Sequence, residues 1–246
     1  METKEYQKMY ELENSHWWFV GKRLIVDRVI TKFINGKKME ILDVGCGTGR
    51  MLKSLQNYGN IIGLDFSERA LAFCKRRKIR NLFRASASEL PFKNDVFDLV
   101  TAFGLLYHKN VKDDVHVLKE FNRVLRLHGY VVITECAFDF LKSEHDLAVQ
   151  TRERYTVSKL TQRLGKSGLS VVKISYTYFF FFPIVLMVKM FKKIKIYSNH
   201  EPVSDLRPTS TLINEILIAM LRMESVLLSK INFPFGSSIV CVAKKN

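Results

Sequence analysis

Cysteine is scarce in this chain and poorly spaced for metal work. Cys46, Cys74, Cys136 and Cys241 are the only four in 246 residues, with no CxxC pair and no ligand-like spacing, so no metal is expected and reduced thiols in a cytoplasmic protein are the simplest account. No internal repeat or low-complexity tract occurs. The N-terminus, Met-Glu-Thr-Lys-Glu-Tyr-Gln-Lys, is polar, so no secretory signal peptide is expected. No apolar run suffices for a membrane span. The longest, Phe179 to Val188, has nine apolar residues interrupted by Pro183, against about 20 needed to cross a bilayer. Acidic residues are also in short supply, 24 against 39 Lys and Arg, for a net charge of +15. The imbalance is concentrated: Thr151 to His200 holds ten Lys or Arg and only Glu153 as acid, which is +9 of the total. A surface of that kind attracts nucleic acid, anionic lipid or a phosphorylated substrate.

What is present describes a globular α/β protein. Hydrophobic residues make up 47% and charged residues 26%, and this length suits one α/β domain with an elaboration. Period and punctuation predict strands at 39–45, 60–65, 81–86, 97–104 and 129–136, with helices near 48–58, 67–78 and 112–126. That alternation implies parallel β-α-β units. A helix follows from Ser158, read as its cap, to Gly168; then a strand at 169–178, and a last strand at 237–244 after Pro234-Phe235-Gly236. About 58 residues intervene between those last two strands, too many for a bare turn.

The most informative stretch is Ile41-Leu-Asp43-Val-Gly45-Cys46-Gly47-Thr-Gly49-Arg50. Glycine at alternate positions after an apolar strand gives a tight turn with bare backbone, open to a ligand, and a helix begins just beyond it. The dinucleotide pattern G-x-G-x-x-G would need glycine at 50, where Arg50 stands. The order is instead acidic-x-G-x-G-x-G. A second acid, Asp65, ends the run Ile61-Ile62-Gly63-Leu64, as expected of a carboxylate that accepts from a ribose diol.

With these residues the chain resembles the class I methyltransferases that use S-adenosylmethionine. The resemblance is strong over 39–136 and looser towards both ends. It implies a Rossmann-like seven-stranded sheet of order 3-2-1-4-5-7-6, with the last strand antiparallel and helical caps around it. The organisation expected is a helical leader over 1–36, a cofactor-binding core over 37–178, a cap insertion over 179–236 and the last core strand over 237–246. The resemblance further implies that Gly45, Cys46, Gly47 and Gly49 line the methionine end of the cofactor, with Asp43 beneath. Asp65 then binds the ribose and Phe66 borders the adenine. In Arg84-Ala-Ser-Ala-Ser-Glu-Leu-Pro-Phe, Ser86 stands where the family has an Asp facing the adenine amino group. A hydroxyl accepts without charge assistance, and the backbone at Ala87 is the alternative contact. Phe103 and Gly104, at the end of the fourth strand, are expected against the cofactor.

Other positions keep two readings. His108 is a general base for the acceptor, its ordinary pKa near 6.5 suiting it, or it shapes the following loop. His16-Trp17-Trp18-Phe19 resembles the leader of a bacterial and archaeal subgroup that folds over the cofactor. Trp18 is assigned there, with Arg23 first and Lys22 second for the methionine carboxylate; an aromatic staple is the other reading. Tyr107, Arg154 and Tyr155 are candidates for holding an acceptor, the last two alternatively a helix lead-in. The run Phe179 to Ile196, with Lys192, Lys193 and Lys195, and an apolar helix over 211–231 form either a closed lid or a contact with an anionic membrane surface.

The expected function is transfer of a methyl group from S-adenosylmethionine, leaving S-adenosylhomocysteine, to a small-molecule, sugar or lipid-linked acceptor. Oxygen is the favoured atom, and the expected location is the cytoplasm, peripheral to the inner membrane face. Two rivals stand beside it. An RNA methyltransferase would use the basic surface, including Lys75-Arg76-Arg77-Lys78, but no RNA-binding appendage is visible and Phe103-Gly-Leu-Leu replaces the amino-methylating Asn/Asp-Pro-Pro-aromatic tetrad. A non-catalytic scaffold would bind no cofactor, against which the intact glycine turn argues.

Overall fold

The computed structural model describes residues 3–34, 38–193 and 206–246. Its centre is a sheet of β1 (Met39–Val44), β2 (Gly59–Asp65), β3 (Leu82–Arg84), β4 (Phe97–Phe103), β5 (Leu125–Cys136), β6 (Leu169–Thr177) and β7 (Ser238–Lys245). The strands lie in the order β3-β2-β1-β4-β5-β7-β6. The pairs from β3 to β5 are parallel, and β7 runs antiparallel to both β5 and β6. This is the Rossmann-like order expected.

Around the sheet lie α1 (Thr3–Leu12), α2 (Trp17–Phe33), α3 (Arg50–Leu55), α4 (Glu68–Arg76), α5 (Asp114–Val124), α6 (Glu144–Ala148), α7 (Val157–Lys166), α8 (Phe182–Lys193) and α9 (Thr211–Leu228). Helices cover both faces, so the middle strands are apolar on both: Ile41, Leu42 and Val44 of β1 are all buried. One core joins the sheet to α5 and α7 through Phe97, Phe121 and Leu164. The other joins it to α2, α3 and α9 through Ile25, Val29, Leu52 and Leu221.

Helix starts follow side-chain capping. Asp113 accepts from His116 N at 3.0 Å and so starts α5 two residues later than expected. The cap of α7 is Thr156 rather than Ser158: its backbone is extended and its Oγ1 accepts from Lys159 N at 3.2 Å. β5 begins at Leu125, directly after α5, and is longer than the 129–136 expected.

The elaboration is anchored to the leader. At the α2–α9 crossing, a Cβ on Gly21 would stand 2.3 Å from Leu221 Cδ1, so any larger residue would force Leu221 to shift. Trp17 N donates to Asn214 Oδ1 at 2.8 Å, and His16 Nε2 lies 3.1 Å from the Arg207 carbonyl. Buried Glu224 accepts from Tyr178 N at 2.5 Å and Phe180 N at 3.4 Å, fixing the chain just before α8 to the middle of α9. Lys195 and most of the polar stretch 197–208 lie outside the described residues. Among the described residues no helix is long and apolar enough to cross a membrane.

Candidate functional site

The carboxyl ends of β1, β2, β4 and β5 open into a cleft of about 1020 Å³, at the crossover where open α/β sheets hold ligands. Its floor is the glycine turn. Gly45 and Gly47 have φ of 77° and 55°, in the left-handed region that glycine enters without strain. Both face the cleft. Gly47 N donates to Asp65 Oδ2 at 2.9 Å, while Asp65 Oδ1 accepts from Ser67 N at 2.8 Å. The Asp65 carboxylate thus ties the turn after β1 to the start of α4 and still borders the cleft. Burial pushes its pKa up, opposed by those two amides.

Beneath the turn Asp43 accepts from Thr101 Oγ1 at 2.7 Å, and its Oδ2 is buried without a partner. Burial raises its pKa to about 7, with Lys22 pulling the other way. Asp43 is buried and does not itself line the cleft, so it braces the turn from below through Thr101.

The rim beside β4 is set by Glu135, buried at the end of β5. Its carboxylate accepts from the backbone N–H of Leu105 at 3.1 Å, Leu106 at 2.8 Å and Tyr107 at 3.2 Å. Burial raises its pKa to about 8 despite these bonds. This fixes the loop that carries Tyr107 and His108 along the cleft wall. His108 Nδ1 accepts from Asn110 N at 3.2 Å, the loop-shaping contact; burial, and then nearby positive charge, lower its pKa to about 4.

The leader forms the opposite wall. Tyr6 and Met9 of α1, and Trp18, Lys22 and Ile25 of α2, face the cleft. Trp18 stacks on Tyr178 with centroids 4.1 Å apart. A buried knot clamps α1 to the glycine turn: Thr48 Oγ1 donates to Glu13 Oε1 at 2.5 Å, and Arg77 donates to the same oxygen at 2.6 Å and to the Thr48 carbonyl at 2.9 Å.

The model for the family described as "Methyltransferase domain" matches residues 42–133, the segment that builds this floor and rim. Over that segment the chain is similar to methyltransferase domains, and its sheet has the class I methyltransferase fold. Over 137 residues it is 37% identical to demethylmenaquinone methyltransferase of Staphylococcus aureus, a match covering 52% of this chain and 56% of that protein. The chain spans about half the length of the curated relatives it matches. In fold it is similar to an S-adenosylmethionine-dependent methyltransferase from Mesorhizobium loti, with TM-score 0.58, 16% identity, and 89% and 96% of the two chains covered. It is also similar to the protein that accompanies the Trm112 methyltransferase activator in a Haloferax volcanii complex, with TM-score 0.62, 15% identity, and 99% and 93% covered.

The expected site residues divide. Gly45, Gly47, Asp65, Phe66, Ser86, Ala87, Phe103, Gly104, Trp18, Tyr107 and His108 all border the one cleft. Cys46 and Gly49 lie behind the turn instead. Cys46 Sγ packs 4.0 Å from Cys74 Sγ, and a Cβ on Gly49 would meet that same Cys74 sulfur at 2.8 Å. Arg23 is corrected: its guanidinium donates to the Glu13 and Asn14 carbonyls, at 2.5 and 2.9 Å, and Lys22 takes the cleft position. Arg154 and Tyr155 are corrected too. Arg154 is buried in a two-bond pair with Asp146, at 2.8 and 3.0 Å. The Tyr155 hydroxyl donates to Asp114 at 2.5 Å deep inside the core, so neither residue reaches an acceptor.

Sequence reasoning missed Glu135, Tyr6 and Met9. For α1 the signal was there: Tyr6, Met9, Tyr10 and Glu13 fall on one helical stripe.

Proposed function

We propose that the protein moves a methyl group from S-adenosylmethionine to a small or lipid-linked acceptor, at oxygen in preference to nitrogen or carbon, in the cytoplasm at the inner face of a membrane. Residues 37–178 and 237–246 serve as the cofactor-binding core, with 1–36 and 179–236 as its cap. The single observation that carries the cofactor reading is the bare Gly45–Gly47 backbone flanked by Asp65. Those residues fit an adenosyl sulfonium: a carboxylate for the ribose diol and bare glycine backbone for the amino-acid end.

Bound S-adenosylmethionine supplies an electrophilic methyl carbon. Everything else asked of the chain is alignment and exclusion of water, which can be worth on the order of 7–11 kcal/mol of barrier. We assign the ribose to Asp65, the methionine carboxylate to Lys22, the adenine border to Phe66 with Ser86 and Ala87, and the acceptor wall to Tyr107. His108, whose Nδ1 is taken by the Asn110 N–H, is assigned to shaping the acceptor wall; burial holds its pKa near 4, too low for an efficient proton acceptor near neutral pH. The relative from Staphylococcus aureus is named for a quinone-type acceptor, which agrees with an apolar acceptor here.

Calorimetric titration with S-adenosylmethionine tests the reading. Asp65→Ala should weaken binding by about 1–3 kcal/mol, because the groups it accepts from lose their partner. Unchanged affinity in that variant would remove Asp65 from the cofactor site, and absence of binding by the wild type would end the proposal.

A further inference from the structure

We propose that the exposed apolar face of α8 and α9 seats the protein on an anionic bilayer, with the mouth of the cleft turned towards the lipid. This inference rests on the apolar acceptor assigned above and identifies how such an acceptor would be reached.

On α9, Leu212 is 74% exposed, and Ile213, Ile216 and Met223 are each more than half exposed. Their spacing of three, four and seven residues puts them on one side of the helix. The opposite side is the one packed on α2, through Leu221 and Leu228. On α8, Ile184 and Met187 are exposed at 60% and 55%. A folded monomer has no reason to show water so many large aliphatic side chains on neighbouring helices.

Two observations favour a lipid surface as the occupant. First, α8 itself carries Lys189, Lys192 and Lys193 and no acidic residue. Apolar side chains bordered by lysines suit a helix lying in the plane of an anionic interface. Second, the patch adjoins the cleft. Asn214 holds α9 to Trp17, the Arg207 carbonyl lies against His16, and Leu206 and Trp18 both line the cleft. Leu212 and Ile213 therefore flank its mouth, where an acceptor with an apolar tail would leave the bilayer.

The experiment is flotation of the full-length protein with vesicles of phosphatidylcholine alone, or mixed equally with phosphatidylglycerol. The wild type should float with the anionic vesicles, and added salt should release it. Leu212→Asp combined with Ile216→Asp should lower the bound fraction by about tenfold or more, since two aliphatic side chains leave the interface. Affinity for S-adenosylmethionine, measured by calorimetry on the same preparation, should stay unchanged. The proposal is overturned if the wild type stays at the bottom of the gradient or the double variant floats equally well. It is also overturned if sedimentation velocity shows a dimer that the same substitutions abolish, which would give the face to a second copy. Loss of cofactor binding in the wild type with flotation intact would instead retire the methyltransferase reading alone.

Discussion

At His108 the half-buried imidazole accepts the Asn110 N–H on Nδ1, and burial holds its pKa near 4. Its charged form is disfavoured in the folded state, so below the ordinary value near 6.5 the unfolded chain binds the proton more tightly. This side chain therefore withdraws stability as pH falls from about 6.5 towards 4. NMR of the ring protons should show no inflection near pH 6.5; a midpoint there would mean the ring is solvated and free of the loop. Arg154 makes a second prediction at this scale. Arg154→Ala leaves the buried Asp146 carboxylate without its partner and should cost about 3–5 kcal/mol in urea unfolding. A cost below about 1 kcal/mol would be that of an exposed pair. The same residue shows where sequence reading stops. Gly45, Gly47 and Asp65 were legible because bare backbone and a ribose diol demand particular residue types. Nothing in the local pattern around Arg154 shows that Asp146, eight residues upstream, claims it before any ligand can.

Among the elements, the strands were the most legible, since burial on both faces leaves short apolar runs bounded by breakers. The pairing of α2 with α9 was not. It joins segments nearly two hundred residues apart, and its key is a glycine whose missing side chain makes room for Leu221. Gly21→Ala should overpack this crossing and destabilise by about 1–3 kcal/mol in thermal or urea unfolding. Equal stability would show that Leu221 can turn aside freely. Because Asn214 and Trp17 meet on the same pair of helices, that variant should also loosen the wall that carries Trp18.

For the molecule as a whole, the sheet, the leader and the elaboration contribute separate sides of one cleft, so a ligand seated there holds the leader and the sheet together. S-adenosylmethionine at a hundred times its dissociation constant should raise the unfolding free energy by about 2.7 kcal/mol, visible as a higher melting temperature. A dinucleotide offered at the same concentration should leave the melting curve where it was; an equal shift would overturn the choice made from Arg50 over a third spaced glycine.

The knot of Glu13, Thr48 and Arg77 has an evolutionary corollary. Its members come from three distant stretches and share one buried carboxylate oxygen, so they can be inherited only as a set. A chimera that transplants a foreign leader onto this sheet would strand Arg77 inside the protein unless the donor carries its own acid at the matching turn of helix. Diversification of such leaders should then proceed by exchanging the whole keyed joint, lock and key together.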